Sequence, residues 1–443
     1  MKKAQKLLAL GIAASLAITL FAGCGTKESK PANADSKSGS AASTSAPVKK
    51  SKVKFAYFDF QQMPSMVEAV KNFQEANKNI EVEVNDISSK EYPDKMAILL
   101  AAGEDLDVYG IKNVMDFGGY YTKKQVLNVM DYIKKDNVDM KAFGGVENQL
   151  KGDDGNYYGL PIRGDYWVLY YNKDIFDKAK VAYPSGDMTW EDFRALAKKV
   201  TSGEGNDKIW GSYFHTWQSI PWSMSLPKKD GKLEDGKYEF LKPAYQIMLV
   251  MQNEDKSVMP YAEAKTSNAH YKAMFESGKL AMHVQGTWHI EQLITDKKAG
   301  KHNVNWGMTK APYPAGGKPG ISVGNVTGLG INSKTSNKDA SWAFIKYMAS
   351  AETAKTFAKY TQMPAAKTPD ILSSFTKIEG FPAGGDKALE VAEVIPDGPV
   401  SPKSAAIGKI LDEEHQLIMA GAKKLDEGIA TMNKRVQELL AAK

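Results

Sequence analysis

The sequence predicts an α/β fold on a largely parallel sheet. Two observations carry this. From residue 53 onwards, β-rich runs alternate with helical patterns. The composition is also that of a globular chain: 443 residues, 43% apolar and 25% charged. It excludes a wholly disordered, collagen-like or disulfide-framework protein, and the length suits two or three domains.

Regular structure is expected to begin at Val53, where "VKFAYFDF" has strand character. Pro64 opens a helix in which Met66, Val67, Val70 and Phe73 share a face. Ile80, Val82 and Val84 alternate with Glu81 and Glu83, the pattern of a half-exposed strand. Met96, Leu99 and Leu100 suggest a helix ending near Gly103, and "DLDVYG" a short strand. Further on, "WVLYYN" is a strand. Thr189 caps a helix, with Asp192 in the return position of a capping box and Phe193, Leu196 and Val200 inward. Asp230-Gly231 and Asp235-Gly236 are turn signals. "ESGKLAMHVQGTW" reads as a helix end, a strand and a loop, and "VGNVTGLGIN" as another strand. Leu411, Ile418, Leu425, Met432 and Leu439 recur every seven residues. They form either a coiled-coil seam or two amphipathic helices broken near Gly421. The second reading is preferred, because Gly421 and Gly428 weaken a continuous helix and His415 occupies the seam.

The first fifty residues are an address and a tether. Lys2, Lys3 and Lys6 precede an apolar run, Leu7 to Ala22, the layout of a secretory signal peptide over residues 1–23. The run is short for a membrane span. "LFAGCG" resembles a bacterial lipobox, with Phe21 standing where leucine is usual; the resemblance implies that Cys24 is lipidated. Cys24 is the single cysteine of the chain, so intramolecular disulfides and cysteine-rich zinc sites are excluded. Residues 24–51 then form the lipidated cysteine and a disordered tether rich in Ser, Ala, Lys and Pro. Removing the three leading lysines from 58 basic side chains leaves 55 against 52 acidic ones. So mild a balance is weak support for a nucleic-acid partner.

Several chemistries lack their motifs. There is no GxxxxGK[ST] phosphate loop, no HExxH and no GxSxG elbow. His215, His270, His283, His289, His302 and His415 lack metal-ligand spacing. No cofactor, metal or catalytic residue is expected. A glycosidase carboxylate pair could be assembled from distant positions, but nothing in the sequence points to one.

"YYGLPIRGDYWVLYYNKDIFDKA" resembles the extracellular solute-binding proteins of sugar ABC importers, the maltose-binding-protein-like family. So do "TWEDFRALAKKV", "MFESGKLAMHVQGTWHI", "WGMTKAPYPAGGKPG", "VTGLGINSKTSNKDASWAFIKYM" and "MPAAK", in the family's order. The resemblance implies a periplasmic-binding-protein-like fold: two α/β lobes that close on ligand across an interlobe cleft. It places the N-lobe at 52–162 plus 326–362 and the C-lobe at 163–322 plus 363–443. It implies a monomer on the extracellular face of the membrane, held by its lipid, passing a carbohydrate to separate permease and ATPase chains.

Sugars need flat aromatic faces and polar groups at the ring edge. Trp288 matches the family tryptophan that stacks on a sugar ring. Asp165 falls where a family acid reaches ligand hydroxyls, with Arg163 and Tyr166 beside it. Trp217 and Trp222 share a segment that resembles a ligand-contacting helix start; one belongs to the cleft and the other to the core. Asp59, Phe60 and Gln61 end the first strand, Lys112 and Asn113 follow the "DVYGI" strand, and Asn325 lies where the resemblance places the second of three chain crossovers between the lobes, near Val323 to Gly328. "IPDGPVSP" lacks the aromatic that some relatives place there. The alternatives are a polyamine, peptide or phosphate ester on the same fold, or a surface enzyme acting on polysaccharide.

Overall fold

The computed structural model describes residues 50–103, 105–401 and 403–442. The signal peptide, Cys24 and nearly all of the tether lie outside the described residues.

Among the described residues nine strands form one sheet: β1 (Ser51–Phe58), β2 (Ile80–Ile87), β3 (Val108–Ile111), β4 (Leu160–Asn172), β5 (Trp210–Ser212), β6 (Leu280–Gly286), β7 (Trp306–Lys310), β8 (Ile321–Ile331) and β9 (Glu393–Pro396). Their order is β2-β1-β3-β8-β4-β6-β5, with β7 also on β4 and β9 on β8. Strand β1 begins two residues before the expected start. The amide of Ser51 donates to Asn79 O at 2.9 Å, and Ser51 pairs with Ile80.

The expectation of a largely parallel sheet holds only for part of it. Strand β1 runs parallel to β2 and β3, β5 to β6, and β8 to β9. The centre is antiparallel: β8 against β3 and β4, and β4 against β6 and β7. The reason is that β8 arrives from far along the chain and runs back between β3 and β4, which no local pattern announces.

β4 is longer than "WVLYYN" suggested. It starts at Leu160, and all 13 of its residues are buried. Its first half pairs with β8 (Leu160–Leu329 through Tyr166–Gly324), with a register shift between Pro161 and Arg163. Its second half pairs with β6 and β7. Alternation sends successive side chains to opposite faces. Tyr166, Val168 and Tyr170 join an apolar cluster with Phe55, Phe73 and Phe344. Trp167, Leu169 and Tyr171 join another with Phe193, Tyr245 and Ile418.

The helices follow their sequence signals closely. Pro64–Ala76 packs Met66, Val70 and Phe73 inward, but Val67 is 37% exposed, one position off the buried stripe. Trp190–Val200 carries the full capping box: Asp192 N donates to Thr189 Oγ1 at 3.2 Å, and Thr189 N to Asp192 Oδ2 at 3.0 Å. The C-terminal heptads are two helices, Ser404–Met419 and Leu425–Ala441, broken at Gly421 with φ of 74°. They pack on each other so closely that a Cβ on Gly428 would lie 2.5 Å from Ile418. His415 is buried against Tyr245 and Tyr261.

Candidate functional site

The site grows from the middle of β4. Arg163 and Asp165 lie two apart, so both project from one face. Both are buried, with Arg163 Nη2 donating to Asp165 Oδ2 at 2.8 Å. The second carboxylate oxygen, Oδ1, accepts from Thr287 Oγ1 at 2.8 Å. Thr287 directly follows β6, and its amide also donates to Tyr166 O at 3.0 Å. Further charged groups stand close to this node, among them Glu291 and Lys367, whose Nζ lies 4.6 Å from the centre of the Tyr166 ring. Burial pushes the Glu291 carboxyl up to about 7, against the pull of Arg163, and Gln362 donates to it. Burial likewise pushes the Tyr57 hydroxyl up to about 12, with Arg163 opposing.

Thr287 leads into Trp288, the first residue of helix Trp288–Lys298. Trp288 is half-buried. Its indole N–H donates to Tyr271 Oη at 3.1 Å, and Tyr271 donates to Gln292 Oε1 at 3.0 Å. Trp167 stands edge-on to Trp288 at 5.8 Å and to Trp217 at 6.3 Å; Trp217 and Trp288 are 6.4 Å apart. His215 stacks on Trp217 at 4.2 Å. Gly286 permits this arrangement, since a Cβ there would lie 2.0 Å from the Trp288 ring. Three indoles and an imidazole thus cluster beside the Arg163–Asp165–Thr287 node, offering apolar faces next to a polar edge.

Burial separates the two tryptophans of the 217–222 segment. Trp222 is 1% exposed and packs within the apolar core, whereas Trp217 is half-buried in the indole cluster. Tyr166 is also core: its ring is buried and its hydroxyl donates to Leu389 O at 3.1 Å. Asp165 has both oxygens engaged within the protein.

A second group forms where the parallel strands β1, β2 and β3 end, the edge at which open α/β sheets bind ligands. Asp59, with φ of 46°, accepts from Ser89 N at 2.8 Å. Lys112 donates to Ser89 Oγ at 2.6 Å, and burial lowers its ammonium from the usual range. Asn113 caps helix Val114–Thr122 by accepting from Asp116 N at 2.9 Å. Gln61 is exposed, and Phe60 is buried against Phe55. Asn325, half-buried, pairs directly with Asp165 across the β4–β8 ladder.

Sequence reasoning missed Trp167, His215, Tyr271, Thr287 and Glu291. Trp167 was visible only as a residue of a strand, and the others carry no local motif. A hollow of about 450 Å³ under Trp190, Met224, Phe240 and Pro314 contains none of the expected site residues. Among the described residues no group of three or more His, Cys, Asp or Glu could hold a metal ion, and no helix is long and apolar enough to cross a membrane.

Residues 58–355 match the family model described as bacterial extracellular solute-binding protein. A solved sugar transporter from Rhizobium etli, in an open conformation, is 34% identical with a TM-score of 0.77, covering 88% of this chain and 100% of its own. An ABC substrate-binding protein from Listeria monocytogenes, in complex with cycloalternan, shares the fold at a TM-score of 0.79 and 21% identity, covering 89% of this chain and 100% of its own. An sn-glycerol-3-phosphate-binding periplasmic protein of Rhizobium meliloti is 26% identical over 186 residues, 40% of this chain and 41% of that one. The family match spans well over half of the chain and the architecture is the two-lobed α/β one of its relatives: the chain belongs to the bacterial extracellular solute-binding proteins, which bind solutes rather than transform them.

Proposed function

We propose that this protein captures a carbohydrate, an oligosaccharide in the first instance, and delivers it to the permease of an ABC importer. The observation that carries the reading is the cluster of Trp288, Trp217 and Trp167 beside the Arg163–Asp165–Thr287 node. Stacked indoles suit the C–H faces of sugar rings, and a polar edge suits their hydroxyls. Trp288 and Trp217 are the stacking faces in this reading. Asp59, Lys112, Asn113 and Asn325 supply polar contacts from across the cleft, and Gln61 lies at its rim.

The lobes would be 52–162 plus 326–362 and 163–322 plus 363–443. The division of the sheet supports this, since β1, β2 and β3 gather on one side of the β4–β8 ladder, and β5, β6 and β7 on the other. Closure would gain from ligand contacts made only in the closed state. Cys24, acylated, would hold the chain to the outer face of the membrane by its tether, as a monomer.

The test is a thermal-shift and calorimetric screen of residues 25–443 against maltotriose, mannotriose, D-mannitol, sn-glycerol 3-phosphate and spermidine. A ligand at 100 times its Kd adds about 2.7 kcal/mol of stability. A shift from a sugar or polyol alone, lost in Trp288→Ala, is the expected result. A shift only from the phosphate ester or the polyamine overturns the substrate class. The anchor is tested in cells: Cys24→Ser releases the protein to the medium, and retention on the membrane rejects the lipid.

A further inference from the structure

Tyr271 touches both of the indoles read above as stacking faces. It opens helix Tyr271–Glu276, and its ring is buried. Its hydroxyl accepts from the Trp288 indole N–H at 3.1 Å and donates to Gln292 Oε1 at 3.0 Å. Gln292 lies one turn along the helix that Trp288 begins, and its Oε1 also accepts from His289 Nδ1 at 3.0 Å. An amide oxygen can only accept, so the His289 proton sits on Nδ1. The Tyr271 ring stands at 62° to that of Trp217, with 5.8 Å between centres.

The Trp288 ring is thereby held at both ends. Its six-membered edge lies against Gly286, where a Cβ would come within 2.0 Å of it, and its N–H is taken by Tyr271. An indole has a single proton to donate, so the Tyr271 hydroxyl fixes the direction of that N–H and with it the plane of the ring. Around Tyr271 stand four imidazoles, His270 at 4.3 Å, His289 at 5.0 Å, His215 at 5.6 Å and His283 at 6.3 Å between ring centres. Burial holds each of them below the usual imidazole range, so they form a neutral wall. Among the described residues the hydroxyl has its two hydrogen bonds from Trp288 and to Gln292. A group engaged in this way on both sides is anchored, and it passes that anchorage to the ring that the ligand would meet.

We propose that Tyr271 is a positioning residue of the binding site: its hydroxyl holds the Trp288 indole in the plane on which the sugar stacks, and its ring sets the angle between Trp288 and Trp217. This rests on the carbohydrate reading above. A ring fixed before ligand arrives has less freedom to lose on binding, so Tyr271 raises affinity through Trp288 and not by a contact of its own.

The experiment is a double-variant cycle, read by calorimetry over the same five probes and by the indole N–H resonances of the eight tryptophans. Tyr271→Phe keeps the ring and removes the hydroxyl; Trp288→Phe keeps a stacking face and removes the N–H, and its missing signal identifies that of Trp288. In Tyr271→Phe the Trp288 signal should shift more than any other, and sugar affinity should fall about threefold to tenfold, the loss of one neutral hydrogen bond. In the Trp288→Phe background Tyr271→Phe should cost nothing further. Losses that add in the double variant overturn the assignment, because Tyr271 would then act by a route other than the indole. Unchanged sugar affinity in Tyr271→Phe also overturns it and leaves the carbohydrate reading intact. Gln292→Leu is an independent check, since it frees the hydroxyl from its acceptor: sugar affinity should fall and the Trp288 signal move, and the assignment fails if neither does. A wild-type response confined to sn-glycerol 3-phosphate or spermidine, or none from any probe, overturns the carbohydrate reading and this assignment with it.

Discussion

Thr287 donates its hydroxyl to Asp165 across 2.8 Å, and that bond ties the end of β6 to the middle of β4. The opposite carboxylate oxygen is taken by Arg163, so Asp165 is the centre of a buried three-membered node. Asp165→Asn leaves the Arg163 guanidinium without its counter-charge. A broken buried pair costs about 3–5 kcal/mol. The double variant Arg163→Met/Asp165→Leu should recover much of that loss. Chemical denaturation of both variants checks the pair; an Asp165→Asn protein as stable as wild type would show that charge does not hold the node.

Trp288 is half-buried and its indole N–H is fixed by Tyr271. Removing an aromatic anchor of this kind costs about 2 kcal/mol of binding or more, roughly a thirtyfold loss of affinity. Trp288→Ala should therefore bind the cargo sugar at least thirtyfold more weakly. Trp222→Phe, in the core, should change Tm and leave affinity within about threefold. Equal losses of affinity in the two would reject the division between them.

Gly286→Ala tests the same platform without touching ligand. The new methyl would meet the Trp288 ring at 2.0 Å, so the indole must swing away. The expected outcome is a shifted tryptophan emission spectrum and a binding loss comparable to Trp288→Ala. A spectrum and affinity identical to wild type would mean that the ring has room to spare.

The response of stability to pH combines two opposed groups. Burial holds the imidazoles of His215, His289 and His415 down at about 3 and that of His283 well below its usual range. The unfolded chain therefore binds more protons below about pH 6.5, and each such histidine removes up to about 1.4 kcal/mol per pH unit on acidification. Burial raises Glu291 and Asp397 to about 7, Glu276 to about 7 and Asp116 to about 6. These carboxyls take up protons in the folded state first, so they add stability between about pH 7 and 4.5. The two sets offset each other in that window, and below it the histidine loss continues, joined by that of carboxyls held low by hydrogen bonds and ion pairs, such as Asp192, Asp255 and Glu68. Tm should stay nearly flat from pH 7 to about 4.5 and then fall steeply. In Glu291→Gln/Asp397→Asn the fall should begin near pH 6.5; an unmoved onset would remove these carboxyls from the account.

Local signals in the sequence were strong where the structure is local. Thr189 and Asp192 announced their capping box, Pro64 its helix, and Gly421 the break between the last two helices, and each is found in place. The alternation of Ile80, Val82 and Glu81 gave β2. Pairings between distant segments were not legible. The antiparallel run of β8 beside β3 depends on residues more than 200 positions apart, and nothing in "VGNVTGLGIN" states its direction. The site divides in the same way. Trp288 and Asp165 came through the family resemblance, which carries tertiary information. Thr287, Tyr271 and His215 are placed only by the tertiary fold, because a threonine next to a tryptophan has no signature until the strand brings Asp165 beside it. Phe60, Tyr166 and Trp222 show the converse, since an aromatic residue in a suggestive segment reads the same whether it faces core or solvent.

Strands β4 and β8 each continue from one part of the sheet into the other, so the connection between the parts is a hydrogen-bonded ribbon and not a loose joint. Such a ribbon resists stretching, because its ladder would have to break, and it yields most readily in twist, the mode built into every β-pair. The interruption of its register between Pro161 and Arg163 removes a rung next to the buried Arg163–Asp165 pair, and bulges are where strands bend. Rotation between the two parts would thus concentrate at one spot, a torsion spring whose axis lies along β4 and whose stiffness is set by the residues packed around that missing rung.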